Sequence, residues 1–216
     1  MSKQNTEVAL LSEHPLSKYY KFQSRIYDTT RWSFLFGRRQ IIKQLPIGKN
    51  TNSRILEVGC GTGYNLVALA KQFPKAEIMG IDLSADMITI ARKKTAAFKG
   101  RVSTVHGAFG PDSFREQFDL ILFSYCLTMI NPGWDYLVDL SSEYLRKDGS
   151  IAVVDFHNSK IPAFKRHMAR HHVRMDGQVL ERLKNNYSAE VVEVHAAYGG
   201  LWEWFSFVGR PLKASH

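Results

Sequence analysis

A chain of 216 residues, 44% of them apolar, has the material for one large domain, or for one domain with an appended cap. Two cysteines in apolar surroundings, Cys60 and Cys126, exclude a disulfide framework; no apolar run of about eighteen residues occurs, and the opening MSKQNTEVALLSEHPLSKYY lacks the apolar segment of a secretory signal. The expected location is therefore a reduced cytoplasm, and the formal charge of +9 favours an anionic partner without choosing between nucleic acid and phospholipid.

Residues 1–14 read as a loosely packed lead. From Pro15, SKYYKFQSRIYDTTRWSFLFGRRQIIKQL predicts one or two helices broken near Gly37, in which aromatic residues alternate with Lys18, Lys21, Arg25, Arg31, Arg38, Arg39 and Lys43 against Asp28 alone. An aromatic face with a basic rim suits a peripheral interfacial helix, and it equally suits a cap over a site. Strand and helix signals then alternate: strand 54–58, helix 64–72, strand 76–81, helix 84–94, strand 101–105 and strand 118–124. A helix at 132–145, a turn at Asp148-Gly149 and a strand at 150–156 follow. A basic helical insertion at 160–184 carries Lys160, Lys165, Arg166, Arg170, Arg174, Arg182 and Lys184 against Asp176 and Glu181, and strands near 188–195 and 201–208 flank Gly199-Gly200. This βα alternation predicts an α/β fold with a mostly parallel sheet covered on both faces. No internal repeat divides it.

The chemistry concentrates in Ile55-Leu56-Glu57-Val58-Gly59-Cys60-Gly61-Thr62-Gly63. A buried strand there runs into a turn in which glycines let the backbone approach a ligand. About twenty residues on, Ile78-Met79-Gly80-Ile81-Asp82 ends a second strand in a carboxylate placed to accept hydrogen bonds from both ribose hydroxyls. A dinucleotide fingerprint needs GxGxxG, whereas the glycines here alternate and Asn65-Leu66 stands where the third would fall, so a nicotinamide or flavin is the weaker reading. The pattern of an acidic residue, GxGxG and an acidic ribose binder resembles the class I S-adenosylmethionine-dependent methyltransferases.

That resemblance implies a Rossmann-like class I methyltransferase fold: a mostly parallel seven-stranded sheet with an antiparallel last strand and helices on both faces. It divides the chain into a tail and helical lid at 1–48 and a cofactor-binding core at 49–216. It implies S-adenosylmethionine, leaving as S-adenosylhomocysteine, with contacts from Glu57, Gly59, Cys60, Gly61, Gly63, Asp82, Leu83, Met87, Gly107, Ala108, Phe109 and Ser124. Met87 suits a cover for adenine, or plain core. The loop after the fourth strand supplies an acceptor wall, with Tyr125 and Met129 as acceptor contacts. Ser124-Tyr125-Cys126-Leu127 lacks the Asn/Asp-Pro-Pro-aromatic signature of base-methylating enzymes.

Methyl transfer needs an in-line nucleophile and gains mainly from orientation. Tyr19 and Tyr27 are expected at the reacting centre and Tyr20 beside the acceptor, where aromatic faces favour an amine becoming cationic. His157 is placed to touch an acceptor phosphate or carboxylate, or to take a proton. His167, His171 and His172 have helical spacing but no acidic or cysteine partners, so no metal is expected.

Arg25-Ile26-Tyr27-Asp28-Thr29-Thr30-Arg31-Trp32-Ser33-Phe34-Leu35-Phe36-Gly37-Arg38, with Val154-Asp155-Phe156-His157 and Tyr198-Gly199-Gly200-Leu201-Trp202, resembles bacterial lipid-headgroup N-methyltransferases. The types in view are those that trimethylate diacylglyceryl-homoserine and those that methylate phosphatidylethanolamine. This implies Tyr27 and Arg31 on a lid facing the acceptor and up to three transfers to one amine. It also implies an anionic membrane surface as partner, a peripheral position at its inner face, no sequence-specific nucleic acid, and a monomer or homodimer. The alternatives are a methyltransferase of a soluble small molecule, an RNA methyltransferase, and a cofactor-binding module without turnover.

Overall fold

A computed structural model describes residues 34–212. Tyr19, Tyr20, Tyr27 and Arg31, with most of the expected lid, lie outside the described residues.

The described chain opens with helix α1 (Arg38–Gln44), then β1 (Arg54–Val58), α2 (Tyr64–Gln72), β2 (Glu77–Asp82), α3 (Ala85–Thr95), β3 (Val102–His106) and β4 (Phe118–Ser124). It continues through α4 (Trp134–Tyr144), β5 (Leu145–Phe156), α5 (Pro162–Arg170), α6 (Gln178–Asn186), β6 (Tyr187–Ala197) and β7 (Trp202–Pro211). The seven strands form one sheet in the order β3-β2-β1-β4-β5-β7-β6. β1 pairs in parallel with both β2 and β4, and β7 lies antiparallel between β5 and β6. This is the expected Rossmann-like class I sheet with its antiparallel last strand.

Strand order explains where a ligand belongs. The chain enters at β1, winds outward to β3, then crosses back to β4 on the other side of β1. The helices after β1 and β4 therefore leave on opposite faces, and a crevice opens at the carboxyl ends of these two strands. Alternating residues feed two apolar layers. Ile55, Ile78, Leu120, Leu122 and Val154 pack on one face with Leu66, Leu69, Ile88 and Ile41 from the helices. Leu56, Ile81, Ile121, Phe123 and Val153 pack on the other with Leu137, Val138, Leu180 and Leu183. A central sheet buried on both faces is what the near-continuous apolar runs of β1, β4 and β5 require.

Two elements depart from expectation. Asp148-Gly149 makes no separate turn before a strand; it lies in an irregularity inside β5, where pairing jumps from Phe118↔Leu145 to Leu120↔Ser150. A Cβ on Gly149 would sit 2.9 Å from the Phe118 carbonyl, so only glycine lets the displaced chain hug β4. The basic segment expected at 160–184 resolves into two helices of different kinds. α5 buries none of its residues, whereas α6 buries Val179, Leu180 and Leu183 in the core.

Candidate active site

The turn after β1 is built by close approach. The backbone amides of Gly59 and Cys60 both donate to the Ile81 carbonyl, at 2.9 and 3.1 Å, fastening the glycine turn to the end of β2. Gly59 has φ 69°, and a Cβ there would lie 2.4 Å from Cys126 Sγ, because the loop after β4 crosses directly over it. Gly63 does not itself line the cleft; a Cβ on it would meet that of Ala91 at 3.0 Å, so its service is to let α2 lie against α3. At Gly61 an added Cβ would meet nothing within 4 Å, because the residue faces open space.

That space is a cleft of about 1190 Å³, part of it open to solvent, at the carboxyl ends of β1, β2 and β4. Its walls include Glu57, Gly59, Cys60, Gly61, Asp82, Leu83, Met87, Gly107, Ala108, Phe109, Ser124 and Tyr125, which brings together all the expected cofactor residues except Gly63. Leu35, Arg38, Tyr64, Asn65, Cys126, Ile130 and Leu137 also line it.

Glu57 is the most demanding group in the cleft. It is 1% exposed, it accepts one hydrogen bond from Asn65 Nδ2 at 2.7 Å, and its Oε2 has no partner. Burial pushes its pKa up to about 8, opposed by the Asn65 hydrogen bond and the Arg38 charge and reinforced by Asp82. Asn65 Oδ1 and Ser124 Oγ are likewise buried without partners. A buried acceptor left unmade is costly, so these oxygens fit a cationic or donor-rich ligand group.

Asp82 has two tasks. Its Oδ2 accepts from the Gly61 amide at 2.8 Å and its Oδ1 from the Ser84 amide at 2.9 Å, so it braces the glycine turn and the start of α3. A carboxylate has about four acceptor positions, which leaves capacity for a diol. Desolvation raises its pKa, with these two amides and His106 acting against the rise. Beyond it, Met87 is 1% exposed on α3 and Gly107 is tied back by its amide to the Asp82 carbonyl at 3.0 Å. The result is an apolar slot with polar backbone on one edge, suited to a flat heterocycle.

On the opposite wall, Tyr125 adopts φ 53°, stacks edge-on against Phe156 with centroids 4.8 Å apart, and donates from its hydroxyl to the Phe36 carbonyl at 2.9 Å. Asp155, absent from the expected site, organises this wall. Fully buried at the end of β5, it accepts from the amides of Cys126, Thr128 and Phe156 at 3.1, 3.2 and 2.8 Å and from the Thr128 hydroxyl. Burial raises its pKa to about 6 despite these donors. Asp155 draws residues 126–128 inward, and Met129, just beyond, is 2% exposed in the apolar core and is not among the residues that line this cleft.

His157 also stands apart from this cleft. Its ring packs against Phe205 and over Gly177 and is not part of the cleft wall, while its amide donates to the Glu203 carbonyl at 2.8 Å. Burial lowers its pKa. Two of the basic residues expected to meet a headgroup are engaged internally. Arg174 bonds Asp176, Asn131 and Gln178 and lies over the Trp134 ring, and Arg182 pairs with Asp139. His167 and His171 rings stand 4.8 Å apart, and among the described residues no cluster of three or more His, Cys, Asp or Glu is arranged to hold a metal.

Glycine turn, ribose acid, apolar slot and buried acceptors fit S-adenosylmethionine: Asp82 for the ribose, Met87 and residues 107–109 for adenine, Glu57 and Asn65 for the amino acid end. The sheet order is that of the class I methyltransferase fold, and the cleft lies where that fold opens.

Residues 55–149 match the methyltransferase domain family. The malonyl-[acyl-carrier protein] O-methyltransferase of Priestia megaterium is 33% identical over 150 residues, which are 69% of this chain and 54% of that protein. The demethylmenaquinone methyltransferase of Staphylococcus aureus is 31% identical over 132 residues, 59% of this chain and 52% of that protein. The chain thus spans about half the length of the curated relatives it matches. In fold it is similar to the N-methyltransferase NodS from Bradyrhizobium japonicum in complex with S-adenosyl-L-homocysteine, with a TM-score of 0.74 at 16% identity over 93% of this chain and 100% of that one.

Proposed function

We propose that the protein transfers methyl groups from S-adenosylmethionine to the amino headgroup of a membrane lipid, diacylglyceryl-homoserine or phosphatidylethanolamine, in up to three rounds. The observation that carries the lipid assignment is at the mouth of the cleft. Leu35 lines the cavity, while its neighbours Phe34 and Phe36 each remain 38% exposed and pack with Tyr198 and Trp202. Exposed aromatic rings beside a deep cleft suit an acceptor whose reactive end enters while its apolar body stays at an interface. Exposed Lys160, Arg166 and Arg170 on and before α5 add attraction to an anionic surface. Among the described residues no helix is long and apolar enough to cross a membrane, so contact by this surface would be peripheral.

When bound, the cofactor supplies a methyl group on a sulfonium: a nitrogen–carbon bond forms as the carbon–sulfur bond breaks, and the electron pair stays on sulfur in S-adenosylhomocysteine. The work left to the chain is to orient and to exclude water. The apolar walls Leu35, Ile130 and Leu137 do the second. An amine must arrive neutral, and each ammonium formed must lose a proton before the next round.

A second reading is favoured by the curated relatives, one acting on malonyl-[acyl-carrier protein] and one on demethylmenaquinone. It gives this chain a carboxyl or quinone-ring acceptor in place of the amine. Labelled S-adenosylmethionine offered with phosphatidylethanolamine vesicles, diacylglyceryl-homoserine vesicles, demethylmenaquinone vesicles, malonyl-[acyl-carrier protein], soluble amines and RNA separates these. Label in an aminolipid supports the first reading. Label confined to any other acceptor overturns it and leaves the cofactor assignment standing.

A further inference from the structure

We propose that Glu193, on the outermost strand β6 and outside the cleft, is a positioning residue for methyl transfer: it latches α1, and through α1 it sets the cleft wall that Leu35 and Tyr125 form. This rests on the cleft being the site of transfer, and it leaves the identity of the acceptor open.

Side chains from three elements converge on this carboxylate. Gln40 Nε2 donates to Oε2 at 2.9 Å, and Gln44 Nε2 reaches both oxygens at 3.2 Å. Ser206 Oγ on β7 donates to Oε2 at 3.2 Å, and His195 Nε2 on β6 stands 3.2 Å from the same oxygen. The Gln44 bond, then that of His195, holds the Glu193 carboxyl below its ordinary pKa. Gln40 and Gln44 lie at i and i+4, so they leave α1 from one face. Ile41 and Ile42, 1% and 4% exposed, already bury the helix on the sheet. Apolar burial is non-directional and does not by itself fix how the helix turns or slides, whereas two hydrogen bonds to one carboxylate fix both.

The start of α1 reaches the cleft. Leu35, just before the helix, lines it, and the Phe36 carbonyl accepts the Tyr125 hydroxyl at 2.9 Å. Between these residues and the helix, Gly37 adopts φ 75°, and a Cβ there would lie 2.2 Å from the Trp204 ring. His195 stacks on that ring with centroids 4.3 Å apart at 21°. Glu193 therefore holds both the helix and the histidine that rests on the ring Gly37 abuts. A misplacement of about 1 Å in such a wall can cost on the order of 100-fold in rate. Glu57, Asp82, Met87 and residues 107–109, fitted to the cofactor, stand on other elements and are spared.

The test compares the wild type with Glu193→Ala, with Gln40→Ala and Gln44→Ala together, with all three changes combined, and with Glu190→Ala, which removes the partner of Arg210 on the same strand. Three readings are taken: labelled methyl transfer to phosphatidylethanolamine vesicles at saturating S-adenosylmethionine, calorimetric affinity for S-adenosylhomocysteine, and hydrogen exchange of residues 34–45. Glu193→Ala is expected to lower transfer about tenfold and cofactor affinity less than about threefold, and to speed exchange in α1. The glutamine pair should give the same losses, the combined variant no more, and Glu190→Ala none. Unchanged transfer and exchange, equal losses of transfer and affinity, or losses that add in the combined variant overturn the role of Glu193. A wild type that labels no phosphatidylethanolamine counts against that acceptor alone. Exchange in α1 then decides: faster with affinity kept supports the latch, and unchanged overturns it.

Discussion

Asn65 Nδ2 donates to Glu57 Oε1 across 2.7 Å and leaves the other oxygen of that buried carboxylate without a partner. The pair joins the end of β1 to the first turn of α2, so one contact both closes the glycine turn and aims an acceptor into the cleft. It also makes Glu57 a proton store. With a pKa pushed up to about 8, it is mostly neutral at pH 7 in the free protein.

A ligand ammonium against Glu57 favours the ionised form, so S-adenosylhomocysteine binding at pH 7 is expected to release about one proton or a large fraction of one. Titration in buffers of different ionisation enthalpy reads this directly. Glu57→Gln should abolish the release and weaken binding about tenfold or more. An apparent enthalpy independent of buffer in the wild type would show that Glu57 gives up no proton when the ligand binds.

The same shift has a stability consequence of definite sign. The native carboxyl holds its proton more tightly than an unfolded one of pKa 4.5, so its contribution is complete below that value and is lost as pH climbs through about 8. Asp155, raised to about 6, acts in the same direction over a lower window. Melting temperature is therefore expected to fall from about pH 4 to about pH 8 in the free protein. Glu57→Gln should flatten the fall above pH 6 and keep the part below it that belongs to Asp155. A variant with the full wild-type slope would show that other groups govern it.

The glycines of the turn separate folding from binding. Gly59→Ala combines φ 69° with a Cβ 2.4 Å from Cys126 Sγ and should cost about 2–4 kcal/mol of stability. Gly61→Ala has φ 52° but no neighbour within 4 Å, and should cost only about 1 kcal/mol while its methyl intrudes on the ligand. Denaturant unfolding beside S-adenosylhomocysteine titration checks the pair. Equal stability losses would mean that strain alone, and not the crossing of Cys126, decides the effect.

Much of this was legible before any coordinates, because the informative signals are local. The apolar run of β1, the alternate glycines and the acid ending β2 fall in one stretch of chain, and the bounds of β1, α2 and β4 match their sequence reading. What escaped needed neighbours distant in sequence. Asp-Gly at 148–149 carries a turn signature, yet β4 continues beside it and turns the break into a bulge. Val179, Leu180 and Leu183 were obscured by the cations around them, and only the packing of α6 beside α4 reveals a core face. Arg38 read as one more member of a basic run until Gly37, flattened on Trp204, brought it to the cleft.

Asp155 is the clearest residue of this kind, and its replacement tests the acceptor wall. Its Oδ2 accepts from the amides of Cys126 and Thr128, and its Oδ1 from the Phe156 amide and the Thr128 hydroxyl. In Asp155→Asn the new amino group must face donors whichever way the amide turns, so at least one backbone N–H loses its acceptor inside the core. The expected cost is about 2–4 kcal/mol in urea unfolding, with Thr128→Val, which removes one hydroxyl donor, costing about 1 kcal/mol. Because residues 126–128 would relax outward, Tyr125 should lose its fixed place against Phe156, and methyl transfer should fall more than cofactor affinity does. An Asp155→Asn protein of wild-type stability and turnover would show that the loop after β4 holds its shape without this carboxylate.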